Sequence, residues 1–180
     1  MAVPSRAEAV ATLQDGQAEL DASLARLSDE ELVKPATIGG GDWSAKDLLG
    51  HIAAWEELAL VSWGEWKDGR MPDVERPEGP MSGSDQIDAY NARSVEEHRS
   101  LSLEEVRRRS AASHAELISA IESMPDGEWL APSSYRLPDG RTRTLAELLG
   151  SLTAAPKRAF GHAFAHLPDL EAYVRSVAGS

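Results

Sequence analysis

The sequence predicts an all-α fold: a four-helix bundle with a short extra helix at the C-terminus. Three observations carry this expectation. Capping boxes recur along the chain, at Ser5/Glu8, Ser28/Glu31, Ser102/Glu105 and Thr144/Glu147, with a weaker version at Ser44/Asp47. In such a box the hydroxyl satisfies an orphan N–H, and the carboxylate reaches back to the cap. Apolar residues follow each box at steps of three and four. Alternating, strand-like patterning is almost absent, and Pro and Gly gather between the periodic stretches.

The first helix is expected over 5–27, where Val10, Leu13, Leu20, Leu24 and Leu27 mark one face. A short turn follows over 28–33, and Pro35 stops it because proline cannot donate to a helical ladder. Gly39-Gly40-Gly41 reads as a connector, with no Lys-Ser or Lys-Thr to make it a phosphate loop. The second helix is expected over 44–66, with Leu48, Ile52, Trp55, Ala59, Ser62 and Trp66 sharing a face. Residues 68–83 are rich in Pro, Gly and charge and read as a long loop. The third helix covers 84–124 with a break near 100–102, and Met124-Pro-Asp-Gly ends it. Pro138-Asp139-Gly140 predicts a small hairpin within 134–144. The fourth helix starts near Thr144 and is kinked or divided at Pro156. Leu167-Pro168-Asp169 predicts a second break, with a last helix over 169–177.

Composition bounds the function. A chain of 180 residues suits one domain, 1–180, with a core that needs no staples. Lys plus Arg number 18 against 30 Asp plus Glu, a formal net charge of -12. That balance repels phosphate backbones and anionic membrane surfaces, so neither nucleic acid nor membrane is an expected partner. No apolar run is long enough to span a bilayer, and no leader pattern opens the chain. The expected location is cytoplasmic. There are no cysteines, so thiolate nucleophiles, Cys-ligated zinc and iron–sulfur clusters are excluded. A metal site would have to use His, Asp or Glu.

Five histidines then carry the interest. His162 and His166 are four apart, which on a helix puts both imidazoles on one face, able to chelate one cation. Steps of three and four back from His162 reach Ala159, Ala155, Leu152 and Leu148, an apolar stripe that points the pair inward. His51 sits among Leu48, Ile52 and Trp55 on the second helix, so a third imidazole projects into the same interior. Two readings of this trio stand: ligands of one metal ion, or hydrogen-bonded core histidines. The pair lacks the glutamate of the His-Glu-x-x-His zinc-protease motif. His98 and His114 lie among charged residues and read as surface. Trp43, Trp55, Trp63 and Trp66 read mostly as core filling, with Trp43 and Trp55 as candidates to line a substrate pocket. Glu56 is a weak candidate for a general acid or base.

The segment Gly40-Gly-Asp-Trp-Ser-Ala-Lys-Asp-Leu-Leu-Gly-His-Ile-Ala-Ala-Trp-Glu57 resembles the second helix of the DinB-like superfamily. Together with Val3-Pro-Ser-Arg-Ala-Glu8 and Ala155-Pro-Lys-Arg-Ala-Phe-Gly-His-Ala-Phe-Ala-His-Leu-Pro168, it makes the chain similar to the ClbS/DfsB branch over nearly its whole length. The resemblance implies a DinB/YfiT-like bundle with a divalent metal (nickel, zinc or iron) on His51, His162 and His166. It implies a hydrolase or a thiol transferase that acts on a small electrophilic molecule, with a low-molecular-weight thiol as possible cosubstrate, in detoxification or self-resistance. A homodimer is also implied. Two alternatives accompany it: a protein that sequesters a small molecule without turnover, and a metal-free cyclopropane hydrolase of the ClbS kind. In that hydrolase a Tyr stands opposite His51, so cyclopropane opening does not simply carry over.

Overall fold

A computed structural model describes residues 3–39, 41–125, 127–156 and 158–179. The middle of the 39–41 connector and one residue of the 124–127 helix ending lie outside them. The described residues form α1 (Arg6–Leu24), α2 (Asp29–Leu32), α3 (Ala45–Lys67), α4 (Ser84–Arg99), α5 (Leu103–Glu122), α6 (Leu145–Leu152) and α7 (His162–Ala178). A 3-10 turn, Asp73–Glu75, interrupts the long loop after α3. No strand is present among the described residues, as an all-α fold requires. None of the helices is long and apolar enough to cross a membrane.

The capping boxes set the helix starts. Ser5, Ser28, Ser44, Ser102 and Thr144 each accept from the backbone N–H three residues on, with the acidic partner bonded back. The box at Ser44 is buried, so its hydrogen bonds to Asp47, at 2.9 and 3.1 Å, leave those backbone groups no need of water.

α3 is the central helix. It packs on α4, α5, α6 and α7, and its buried positions lie all round it rather than on one stripe. α1 lies against α7 and α5. Gly16 lets α1 approach closely: a Cβ there would meet Phe164 Cε2 at 3.1 Å and Ala163 Cβ at 3.2 Å.

Two apolar clusters fill the interior. One holds Val10, Leu13, Trp55, Leu117, Ile121, Leu148 and Phe160. The other holds Leu20, Leu48, Ile52, Val106, Leu167 and Leu170. Polar residues gather near where the two clusters meet: Gln17 on α1, His51 and Glu56 flanking Ile52–Trp55 on α3, Ser110, Ser113 and His114 on α5, and His162 and His166 on α7. A polar belt therefore crosses the bundle between two apolar ends.

Three expectations change. The hairpin of 134–144 exists only as a turn. Ser133 N donates to Arg143 O at 2.7 Å and Leu137 N to Arg141 O at 2.9 Å, and the Pro132–Thr144 pair is an isolated bridge. The fourth helix is divided, one of the two outcomes expected, but the division comes before Pro156. It ends at Leu152, and an irregular link leads to α7. The break expected at Pro168 does not occur, because α7 passes through it. Proline there removes one helical N–H, but Leu167, Leu170, Tyr173 and Val174 are buried on either side. Tyr173 Oη also donates to Glu31 O at 2.9 Å, tying the far end of α7 to α2. Packing outweighs the lost hydrogen bond.

Candidate metal centre

The link from α6 to α7 delivers the first imidazole. Phe160 adopts φ +60, a left-handed conformation that a bulky residue seldom takes. Burial holds it: Phe160 is 1% exposed and stacks on Trp129 with ring centroids 5.8 Å apart. Its N–H donates to Gly150 O, where a Cβ would meet the Phe160 ring at 3.0 Å. Two residues later His162 N donates to Thr153 O at 2.9 Å, and α7 begins. His162 is thus the first residue of a helix, placed by a tight turn. The apolar stripe read back through Ala155 and Leu152 is not one helical face, because α6 ends at Leu152 and α7 starts at His162. The inward aim comes from packing of α7 on α1 and α3.

The trio meets. His51 Nε2 lies 3.2 Å from His162 Nε2, and His166 Nε2 lies 3.1 Å from that same atom. Ligand atoms from all three rings fall within 4.8 Å of one another. Every pair of ring centroids is 4.9 Å apart. His51 is buried, and the other two are half-buried.

Hydrogen bonding alone does not satisfy this arrangement. A ring nitrogen carries either one proton or one in-plane lone pair, so His162 Nε2 cannot serve both neighbours as donor and acceptor at once. A cation facing three Nε2 lone pairs satisfies all of them. Ligand nitrogens on tetrahedral bonds of about 2.0–2.1 Å stand roughly 3.3 Å apart, close to the separations found. The donor set therefore fits a borderline cation such as zinc, nickel or iron(II).

Electrostatics point the same way. Burial first, then the neighbouring His166 and His98, push His51 down to about 3. Burial, with His51 and His166 beside it, holds His162 well below the usual imidazole range. His166 is lowered by burial, against the opposing charge of Asp169. All three rings are thus held neutral at pH 7, the form that ligates. The outer shell is unusual, since the buried Nδ1 atoms of His51 and His162 have no partner among the described residues. Ligand histidines ordinarily donate that N–H. Packing orients these rings instead. Trp43 lies 4.9 Å from His51, and Trp55 meets His162 edge-on at 6.1 Å. The Trp55 N–H is fixed by Asn91 Oδ1 at 2.9 Å. Both tryptophans singled out for a pocket therefore border the imidazoles.

Other assignments shift. The 68–83 loop is tied to the end of α3 and to the 132–144 segment. Its hydrogen bonds run to Glu65, Ser134, Tyr135 and Arg143. Arg143 and Tyr135 meet on Glu75 at 2.5 and 2.6 Å. His98 and His114 are not surface residues. His98 is 1% exposed, with Nδ1 donating to Ser94 O at 2.7 Å. The His114 side chain is 12% exposed and pairs with Glu56 at 2.7 Å. Their charged sequence neighbours point to other faces of α4 and α5.

Residues 12–154 match the family model described as the DinB superfamily. No curated protein matches the chain. Solved structures do. An uncharacterised protein from Escherichia coli UTI89 superposes with a TM-score of 0.74 at 15% identity, covering 98% of this chain and 96% of that one. The colibactin self-resistance protein ClbS, crystallised in complex with a dsDNA, gives 0.70 at 15% identity, with 99% of each chain covered. A mycothiol-dependent maleylpyruvate isomerase gives 0.64 at 17% identity, covering 93% of this chain and 61% of the isomerase. At these identities the likeness is one of fold.

Proposed function

The chain belongs to the DinB superfamily, and on that premise we propose that it is a divalent-metal-dependent enzyme acting on a small electrophilic molecule. His51, His162 and His166 are the ligands in this reading. The observation that carries it is the convergence of three Nε2 atoms, 3.1 and 3.2 Å apart, in a buried pocket that hydrogen bonding alone leaves unsatisfied. His51, His162 and His166 would hold the cation, which when bound would supply Lewis acidity toward a water or a thiol.

The chain's own residues supply the rest. Neutral imidazoles offer lone pairs without a prior proton loss. Trp43 and Trp55 form an apolar border that limits water around the centre and offers flat surfaces to an organic substrate. The chain has no cysteine, so a thiol in the reaction comes from a cosubstrate. The mycothiol dependence of one fold neighbour supports that choice of reaction. The domain is taken to extend over 1–180 and to work in the cytoplasm, as a monomer or a homodimer. Nucleic acid is not part of the proposal, although one fold neighbour was crystallised with DNA, because a net charge of -12 opposes a phosphate backbone.

The test is a thiol-consumption assay with the protein loaded with nickel, zinc or iron, offering mycothiol, bacillithiol or glutathione with a model aryl halide. Metal-dependent loss of thiol that vanishes in His51→Ala supports transfer. Binding of the electrophile without product, unchanged in His51→Ala, replaces this reading with sequestration.

A further inference from the structure

The polar belt holds one titratable pair that the metal reading does not use. His114 Nδ1 lies 2.7 Å from Glu56 Oε1, and the other carboxylate oxygen accepts from Ser113 Oγ at 3.2 Å. Glu56 is 4% exposed. A carboxylate accepts, so Nδ1 carries a proton, and in the neutral ring Nε2 is then the nitrogen that holds the lone pair. His98 differs. Its Nδ1 is spent on a backbone carbonyl, and its Nε2 is shut in the core without a partner among the described residues.

Two spaces meet at His114. A groove of about 550 Å³ runs between α1, α2, α3 and α5, with Lys46 and Arg107 on its walls and Leu49 on its floor. Lys46 Nζ donates to the carbonyls of Arg99 and Leu101, at 3.1 and 2.8 Å. Ser110 Oγ, buried and without a partner among the described residues, also borders this groove. Behind it lies an inner cavity with about 10 Å³ of room for the centre of a water molecule, bordered by Glu56, Thr153 and His162. That is space for a single water. Gln17 and His114 border both spaces.

We propose that Glu56 and His114 form an acid–base dyad that works on a water molecule attacking an electrophilic small molecule held in the groove. As the water oxygen bonds to the electrophilic carbon, His114 Nε2 takes its proton: the water O–H bond breaks, C–O and N–H bonds form, the electron pair of the carbon–heteroatom bond moves onto the heteroatom, and the imidazolium, held by the Glu56 carboxylate, returns the proton to that heteroatom. Glu56 is the positioning residue, fixing the tautomer and stabilising the charge that develops. Neither residue is a ligand in the trio, so the dyad stands independently of the cation.

The test is modification by diethylpyrocarbonate at pH 7, which transfers an ethoxycarbonyl group to a free imidazole nitrogen, followed residue by residue by peptide mass spectrometry. His114 reacts about tenfold faster than His98, whose exposure needs local opening of the core. Glu56→Gln keeps the hydrogen bond but removes the charge, and slows His114 about threefold, while Glu56→Asp recovers part of the rate. The proposal is overturned if His114 reacts no faster than His98, or if Glu56→Gln matches the wild type. Should Glu56→Gln fail to fold, the wild-type ratio of the two histidines alone decides. Chelator-treated and metal-loaded protein give the same ratio, so failure of the metal reading leaves this result intact.

Discussion

Acidification of the metal-free protein should destabilise it through the imidazole trio. His51 is held at about 3 in the fold, chiefly by burial, against about 6.5 in an unfolded chain. The folded-state value is the lower one, so between these limits the unfolded chain binds more protons. Stability is then fully present above pH 6.5 and is lost as pH falls below it. Each pH unit in that window withdraws about 1.4 kcal/mol per group. Moving from pH 7 to pH 5 therefore costs about 2 kcal/mol from His51 alone, with His162 adding in the same direction. Urea unfolding of chelator-treated protein at the two pH values measures this as a shift in midpoint. His51→Gln keeps a polar side chain of similar reach but cannot take up the proton, so its shift should be smaller by about 2 kcal/mol. Equal shifts in wild type and variant would refute the claim that the folded structure holds this ring neutral.

Other outcomes test the packing around the site. Gly50→Ala places a Cβ 2.7 Å from His98 Cγ and 2.8 Å from His98 Cβ. The roughly 1 kcal/mol gained in helix propensity is outweighed by about 1–3 kcal/mol of overpacking, a net loss visible in thermal unfolding. Phe160→Ala empties a fully buried, stacked position and should cost about 3–5 kcal/mol by chemical denaturation, with His162 losing its fixed entry into α7. A short DNA duplex should show no saturable gel shift at physiological salt, given the net charge of -12, and tight binding would contradict the charge argument.

The fold was legible because its start signals are local. Each capping box uses residues three apart, and all five open a helix in the structure. The features without a local signature depend on tertiary contacts. Pro168 would end an isolated helix, but Leu167, Leu170 and Tyr173 hold α7 together across it. The turn at Phe160 has no sequence signature, since a left-handed Phe is stabilised only by the Trp129 stack and the α6 backbone. His51 was readable from Leu48, Ile52 and Trp55. The inward aim of His162 and His166 does not come from the stripe behind them, since the helix that would carry it ends at Leu152.

His98 and His114 look like surface residues in the sequence because charges flank them, Glu96, Glu97, Arg99 and Glu116, whereas helical spacing puts both on inner faces. His114 lies four after Ser110 and three before Leu117, both buried. His98 lies three after Val95 and four after Ser94, also buried. Small serines dilute the apolar stripe, so a face built for a polar belt looked like a surface. The pairing of His114 with Glu56 has no local signature, since the two are 58 residues apart.

The central claim is that three imidazoles hold one cation. The most direct measurement is metal content, by elemental analysis, of untagged protein supplied with nickel, zinc or iron and then desalted. One divalent ion per chain is expected, lost in His51→Ala and in His162→Ala, with His98→Ala keeping its metal. Protein that retains no stoichiometric metal under all three supplies, or a His51→Ala variant that binds as the wild type does, would contradict it.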